Sequence, residues 1–268
     1  MEIAFTGEEK KKKGPTKKWS QGEIEAEIRK IEAKIEDAKA NQGEIEVRDF
    51  ILDKAEFWRY EAEDFEKAET IYREAYTLTG GASKKMEILF ETLLMSIDKE
   101  DINSIKKDIT ECHKLVEDGA DWDKKNKLKI FEGVYCMMIR DFKKAADLFV
   151  NSIATFTCVE LMSFRDFVFY AVVLGILTQD RKTIKKEIIH SPDILAVNRD
   201  IPYLKQTSEA FYNCDYRTFF TGFIEICESV KKDRFLKAHA YYYTKEMRLV
   251  AYKQYLESFK SVTIENMA

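Results

Sequence analysis

The phrase Asp64-Phe65-Glu66-Lys67-Ala68 returns as Asp141-Phe142-Lys143-Lys144-Ala145 and, less faithfully, as Asp215-Tyr216-Arg217-Thr218-Phe219. Weaker copies start at Asp101 and Asp180, so the intervals run from 35 to 40 residues. In helical sequence a period of that size means stacked helix pairs, because one pair alone cannot bury its apolar face. Each residue type of the phrase has a mechanical use. The aspartate caps a helix, the aromatic locks the hairpin, and the alanine lets a neighbouring helix cross closely. The aspartates are therefore read as caps and not as ligands, and the expected product is a curved scaffold without a catalytic pocket.

Composition supports an all-α chain. Three prolines and ten glycines in 268 residues leave few enforced helix breaks, and the 34% of charged residues can coat long amphipathic helices. Eighteen Phe and thirteen Tyr supply large side chains for a continuous core. The net charge of −4 argues against nucleic acid as a partner, since phosphate binding needs an excess of Lys and Arg. Lys10 to Lys13, with Lys17 and Lys18, form a local exception, and residues 1–20 are expected to be a basic, disordered tail. No run of about 18 apolar residues occurs, and the stretch Met1 to Phe5 is too short and acidic for a secretory signal. A soluble, intracellular chain is expected, with no membrane partner.

The residues that could carry chemistry do not gather. Cys112, Cys136, Cys158, Cys214 and Cys227 leave one thiol over in any pairing and include no Cys-x-x-Cys, which fits reduced thiols. Cys112 and His113 are adjacent, and adjacent helical residues diverge too far to share a metal. His113, His190 and His239 lie beside no nucleophile, and Gly80-Gly81 lacks the Lys-Ser or Lys-Thr of a phosphate loop. No catalytic, cofactor-binding or metal residue is assigned, and no cofactor or small-molecule substrate is expected.

Helix signals divide the chain. Ser20-Gln21-Gly22-Glu23 fits a capping box opening a helix with Ile24, Ile28, Ile31, Ile35 and Ala38 on one stripe, ending near Asn41-Gln42-Gly43. Phe65, Ala68, Ile71, Tyr72 and Ala75 predict one packed face. Asp121 is placed to cap a helix from Trp122 to about Ile139, inside which Gly133 predicts a close backbone crossing. Pro192 and Pro202 each predict a helix entry, and a long aromatic helix is expected from Phe235 onward. Domain boundaries follow at 21–139 for N-terminal helical repeats and 140–268 for a second helical-repeat portion.

Gly119-Ala120-Asp121-Trp122-Asp123 and the following residues through Arg140-Asp141-Phe142, with Thr155-Phe156-Thr157 and Tyr241-Tyr242-Tyr243-Thr244-Lys245-Glu246-Met247-Arg248, carry a resemblance. The sequence is similar to the PCI-domain lid subunits of the 26S proteasome regulatory particle, the non-ATPase regulatory subunit 6 family, from Gly22 to Ala268. The resemblance implies a right-handed superhelical array of TPR-like helix pairs and a non-catalytic scaffold supporting lid assembly and ubiquitin-dependent degradation. It also implies lid and base subunits as partners, and cytoplasm and nucleus as location. Family members carry further N-terminal helices and a C-terminal winged helix, and this chain is expected to be shortened at both ends, lacking much of the former and the whole of the latter. The face holding Tyr255, Phe259, Val262 and Ile264 is accordingly expected to be exposed. Two other readings stay open: a PCI subunit of a related complex (signalosome or translation initiation), or a free TPR-like adaptor.

Overall fold

The computed structural model describes residues 19–41, 43–197 and 201–267, and among them all regular structure is helical. The basic tail expected over residues 1–20 lies, apart from Trp19 and Ser20, outside the described residues. The helices are α1 (Gln21–Asn41), α2 (Glu44–Tyr60), α3 (Phe65–Leu78), α4 (Ala82–Asp98), α5 (Ile102–Glu117), α6 (Trp122–Met138) and α7 (Phe142–Val150). There follow α8 (Phe164–Thr178), α9 (Arg181–Thr183), α10 (Pro192–Val197), α11 (Pro202–Tyr212), α12 (Tyr216–Lys232), α13 (Ala240–Leu256) and α14 (Ile264–Met267). Contacts divide the chain into two compact units, the first ending at Leu128 but including Cys158–Leu161, the second holding the rest.

All five aspartates of the repeated phrase are helix caps. The Asp64 carboxylate accepts from the Lys67 N–H at 3.1 Å, Asp141 from Lys144 at 3.2 Å and Asp215 from Thr218 at 3.2 Å. Asp101 accepts from the N–H groups of Asn103 and Ser104, and Asp180 from that of Thr183. The turn feeding the cap recurs at four of the five, Gln179 before Asp180 being extended. Glu63, Glu100, Arg140 and Cys214, each directly before the aspartate, all have positive φ, between 54° and 66°. That left-handed residue closes the preceding helix, and the aspartate N–H at positions 101, 141 and 215 then returns to the carbonyl five residues back. One tight turn thus joins two helices without glycine.

In the first unit, Ala38, Ala55, Ala68 and Ala75 are fully buried around Tyr72, so α1, α2 and α3 approach closely. Helix α4 is buried on nearly every side from Met86 to Ile97, as befits a core helix between neighbours. Polar locks join α5 to α3, one repeat back, and to the adjacent α4. The Arg73 guanidinium on α3 donates to both oxygens of Asp108 on α5, at 2.8 and 3.0 Å, and the Thr92 hydroxyl on α4 donates to Asp108 at 2.9 Å. Tyr76 likewise reaches Glu111 at 3.1 Å. These bonds are the stacking of helix pairs written in side chains.

The second unit is organised around α8, buried without interruption from Phe167 to Ile176. The Tyr243 hydroxyl of α13 donates to the Val173 carbonyl at 3.1 Å, and that of Tyr170 to Asp233 at 2.6 Å. Gly133 is required because a Cβ there would stand inside contact distance of the Phe149 ring, so the predicted close approach is to a side chain. Gln179 on the turn after α8 donates to Asp147 on α7 at 2.7 Å, and Arg181 to the Tyr212 carbonyl at 2.6 Å.

Two expectations are corrected and one feature is new. Phe65 is exposed, and so is Ile102 in the next copy, so the aromatic position locks the hairpin only where Phe142 is buried. The long aromatic helix begins at Ala240 and not at Phe235, because the Asp233 carboxylate takes the N–H groups of Phe235 and Leu236 and turns the chain there. After α9 the chain also widens into a π turn over Ile184–Ile189, which no sequence signal marked.

Candidate interaction surfaces

The chemistry-bearing residues are dispersed or buried. Cys112, Cys136, Cys158 and Cys227 are buried, and desolvation pushes the Cys112 and Cys158 thiols up to about 12 and Cys136 to about 11. Such thiols hold their protons and react slowly. Cys214 is exposed at the turn before α12, with Arg181 Nη1 at 3.4 Å and Gln254 Nε2 at 3.3 Å from its sulfur. His239 Nε2 sits 2.9 Å from the Met138 carbonyl while its ring meets Phe142 edge-on, a packing role. Among the described residues no three His, Cys, Asp or Glu side chains gather as a metal would need.

What the fold offers instead is surface. On α12 and α13 an aromatic ladder runs through Tyr216 against Tyr255, Phe220 against Tyr252, and Tyr255 against Phe259. Its outer side is open: Ile224 is 61% exposed, Tyr252 45%, Phe259 48% and Ile264 86%. Of the four residues expected on an exposed face, Phe259 and Ile264 are exposed, whereas Tyr255 and Val262 are half-buried. Sequence reasoning missed the remainder of this face. Tyr241, Lys245, Arg248, Tyr252 and Leu256 step by four, three, four and four along α13 and are all exposed, a second stripe opposite the buried Tyr243, Met247 and Ala251. The steps were readable, but a helix rich in aromatics on every side hides which stripe faces outward.

A second surface lies in the first unit, where α1 and α3 both pack on α2. Two adjoining cavities of about 250 and 270 Å³ share Glu32, Lys54 and Ile71 and so form one groove. Its apolar lining includes Ile28 and Ile35 of α1, Ile51 and Trp58 of α2, and Ile71 of α3. Only the C-terminal part of the α1 stripe is closed: Ile35 and Ala38 are buried, whereas Ile24, Ile28 and Ile31 are half-exposed.

Comparison with known proteins finds a matching family model and several named relatives. The family model described as 26S proteasome subunit RPN7 matches residues 17–187. The chain is 43% identical over 247 residues to the 26S proteasome non-ATPase regulatory subunit 6 of Oryza sativa subsp. japonica, covering 92% of this chain and 63% of that protein. It is 41% identical over 244 residues to the Arabidopsis thaliana homolog, with coverage of 91% and 63%. With the 26S proteasome regulatory subunit RPN7 of Saccharomyces cerevisiae the identity is 28% over 249 residues, covering 91% and 58%. The chain therefore spans less than two thirds of the length of these curated relatives.

Proposed function

Because this chain belongs to the 26S proteasome subunit RPN7 family, we propose that it is a non-catalytic scaffold subunit of the proteasome regulatory particle lid, supporting assembly and ubiquitin-dependent degradation. The observation that carries the reading is the family match, which spans the first unit and runs into the second as far as residue 187, joined to relatives over about nine tenths of the chain that bear the name of one regulatory subunit. The physical character of the chain supports it. Stacked helix pairs give large rigid faces, and the open aromatic side of α12 and α13 is the kind of apolar patch that marks a protein contact. Its partners are then other lid and base subunits, met in cytoplasm and nucleus. Nucleic acid, membrane and small molecules have no part in the reading.

The test is affinity purification of the tagged chain from native extract, followed by gradient sedimentation and mass spectrometry. Co-migration with lid and base subunits in a peptidase-active fraction is the expected outcome. Sedimentation alone or as small oligomers, with no lid peptides, would sink the proposal.

A further inference from the structure

We infer that the groove between α1 and α3 is a docking site for a basic amphipathic helix of a partner protein. The inference rests on the groove's own geometry and holds whether or not the chain enters a proteasome.

From Ile28 to Lys39 the α1 wall runs twelve residues, about 17 Å over the intervening rises of about 1.5 Å each, which is the length of roughly three helical turns. The walls and floor are helices, so no strand edge is present to pair with an extended backbone. An occupant must satisfy its own N–H and C=O groups, and an α-helix does so. Its apolar side chains at i, i+3 or i+4, and i+7 would meet the half-exposed Ile28, Trp58 and Ile71, above a floor that includes the buried Ile35 and Ile51.

Charge selects the occupant. Glu32 is held by Lys54 at 2.7 Å across the groove, but Glu36 on one wall and Glu74 on the other make no ion pair among the described residues. Lys39 stands against them at the same end, and Lys67 is taken up by Asp64 and by the face of Trp58. With the lining included, residues 21–78 hold seventeen Asp and Glu against nine Lys and Arg, so the surrounding field is negative. That field repels a second copy offering the same acidic helices and attracts a helix with Lys or Arg on its flanks.

The test uses the full chain and a labelled synthetic helical peptide of roughly fourteen residues with Leu at i, i+3 and i+7 and Lys on its flanks. A counterpart carrying Glu in place of Lys is titrated alongside by fluorescence anisotropy. The Lys peptide is expected to bind at least about tenfold more tightly than the Glu peptide. The double change Glu36→Lys with Glu74→Lys should remove that preference, while Glu25→Lys with Glu66→Lys, equal in charge but off the groove, should leave most of it. All four glutamates are exposed, so folding is preserved, and helical circular dichroism verifies it. Equal binding of the two peptides would overturn the inference. So would equal losses in the two double variants, which would mean diffuse attraction, or a dimer in sedimentation equilibrium that the groove variant abolishes, which would mean self-pairing.

Discussion

The residue before four of the five capping aspartates sets a cost that only a few residue types avoid. Glu100 has a φ of 56°, where a side chain costs about 1–2 kcal/mol relative to the right-handed region. Glu100→Gly removes that strain and gives back part of it through the greater freedom of the unfolded glycine, for a net gain of about 0.5–1 kcal/mol. A urea midpoint that rises at unchanged slope is the expected result. One residue on, Asp101→Ala should lose about 1 kcal/mol, because the N–H groups of Asn103 and Ser104 lose their acceptor. If the two changes moved stability in the same direction, the turn would not work as described. The caps were legible in the sequence because capping acts over three residues. The left-handed residue was not, because Glu, Arg and Cys carry no local signal for positive φ.

Between elements, the decisive contacts join residues about one repeat apart, and sequence reading is blind there. Asp108 is 1% exposed and accepts from Arg73 and Thr92 on two other helices, yet on the sequence it is one more acid of a charged helix. Replacing it by Ala leaves the Arg73 guanidinium and the Thr92 hydroxyl without their acceptor. Because Arg73 keeps some access to water, a loss of about 3 kcal/mol is expected in chemical denaturation, at the lower end for a broken buried pair. Arg73→Ala should cost about as much, since it strands the buried carboxylate, and the double variant should cost clearly less than the sum. Strict additivity would show that Arg73 and Asp108 do not act together. Pattern did foresee the alanine crossings, because small residues on an apolar face admit one explanation, whereas at Gly133 it foresaw a backbone where the Phe149 ring stands. It misjudged Phe65, because an aromatic at a helix entry fits a packed or an open position equally well, and the neighbour decides. The groove was hidden for the same reason: the stripe of α1 reads alike whether its partner covers all of it or half.

At the scale of the whole molecule the repeated cap becomes a shared dependence on pH. Hydrogen bonds from Lys67, Ser104, Thr183 and Thr218, aided by backbone N–H groups, hold Asp64, Asp101, Asp180 and Asp215 below the usual carboxylate range. A carboxylate whose folded value is depressed contributes stability that is complete above its unfolded value. That contribution is lost as pH falls through the folded one, so the window lies below about pH 4. Because these caps stand at helix starts in both units, acid weakens several hairpins together and not one end alone. Thermal melts followed by circular dichroism should therefore be flat from pH 7 to about pH 5 and fall steeply below pH 4. Asparagine caps a helix as well as aspartate and does not titrate, so Asp101→Asn combined with Asp215→Asn should leave the neutral melt nearly unchanged and flatten the acid limb. An acid limb as steep in that variant as in the parent would locate the sensitivity elsewhere, with the ion pairs between helices the next groups to change.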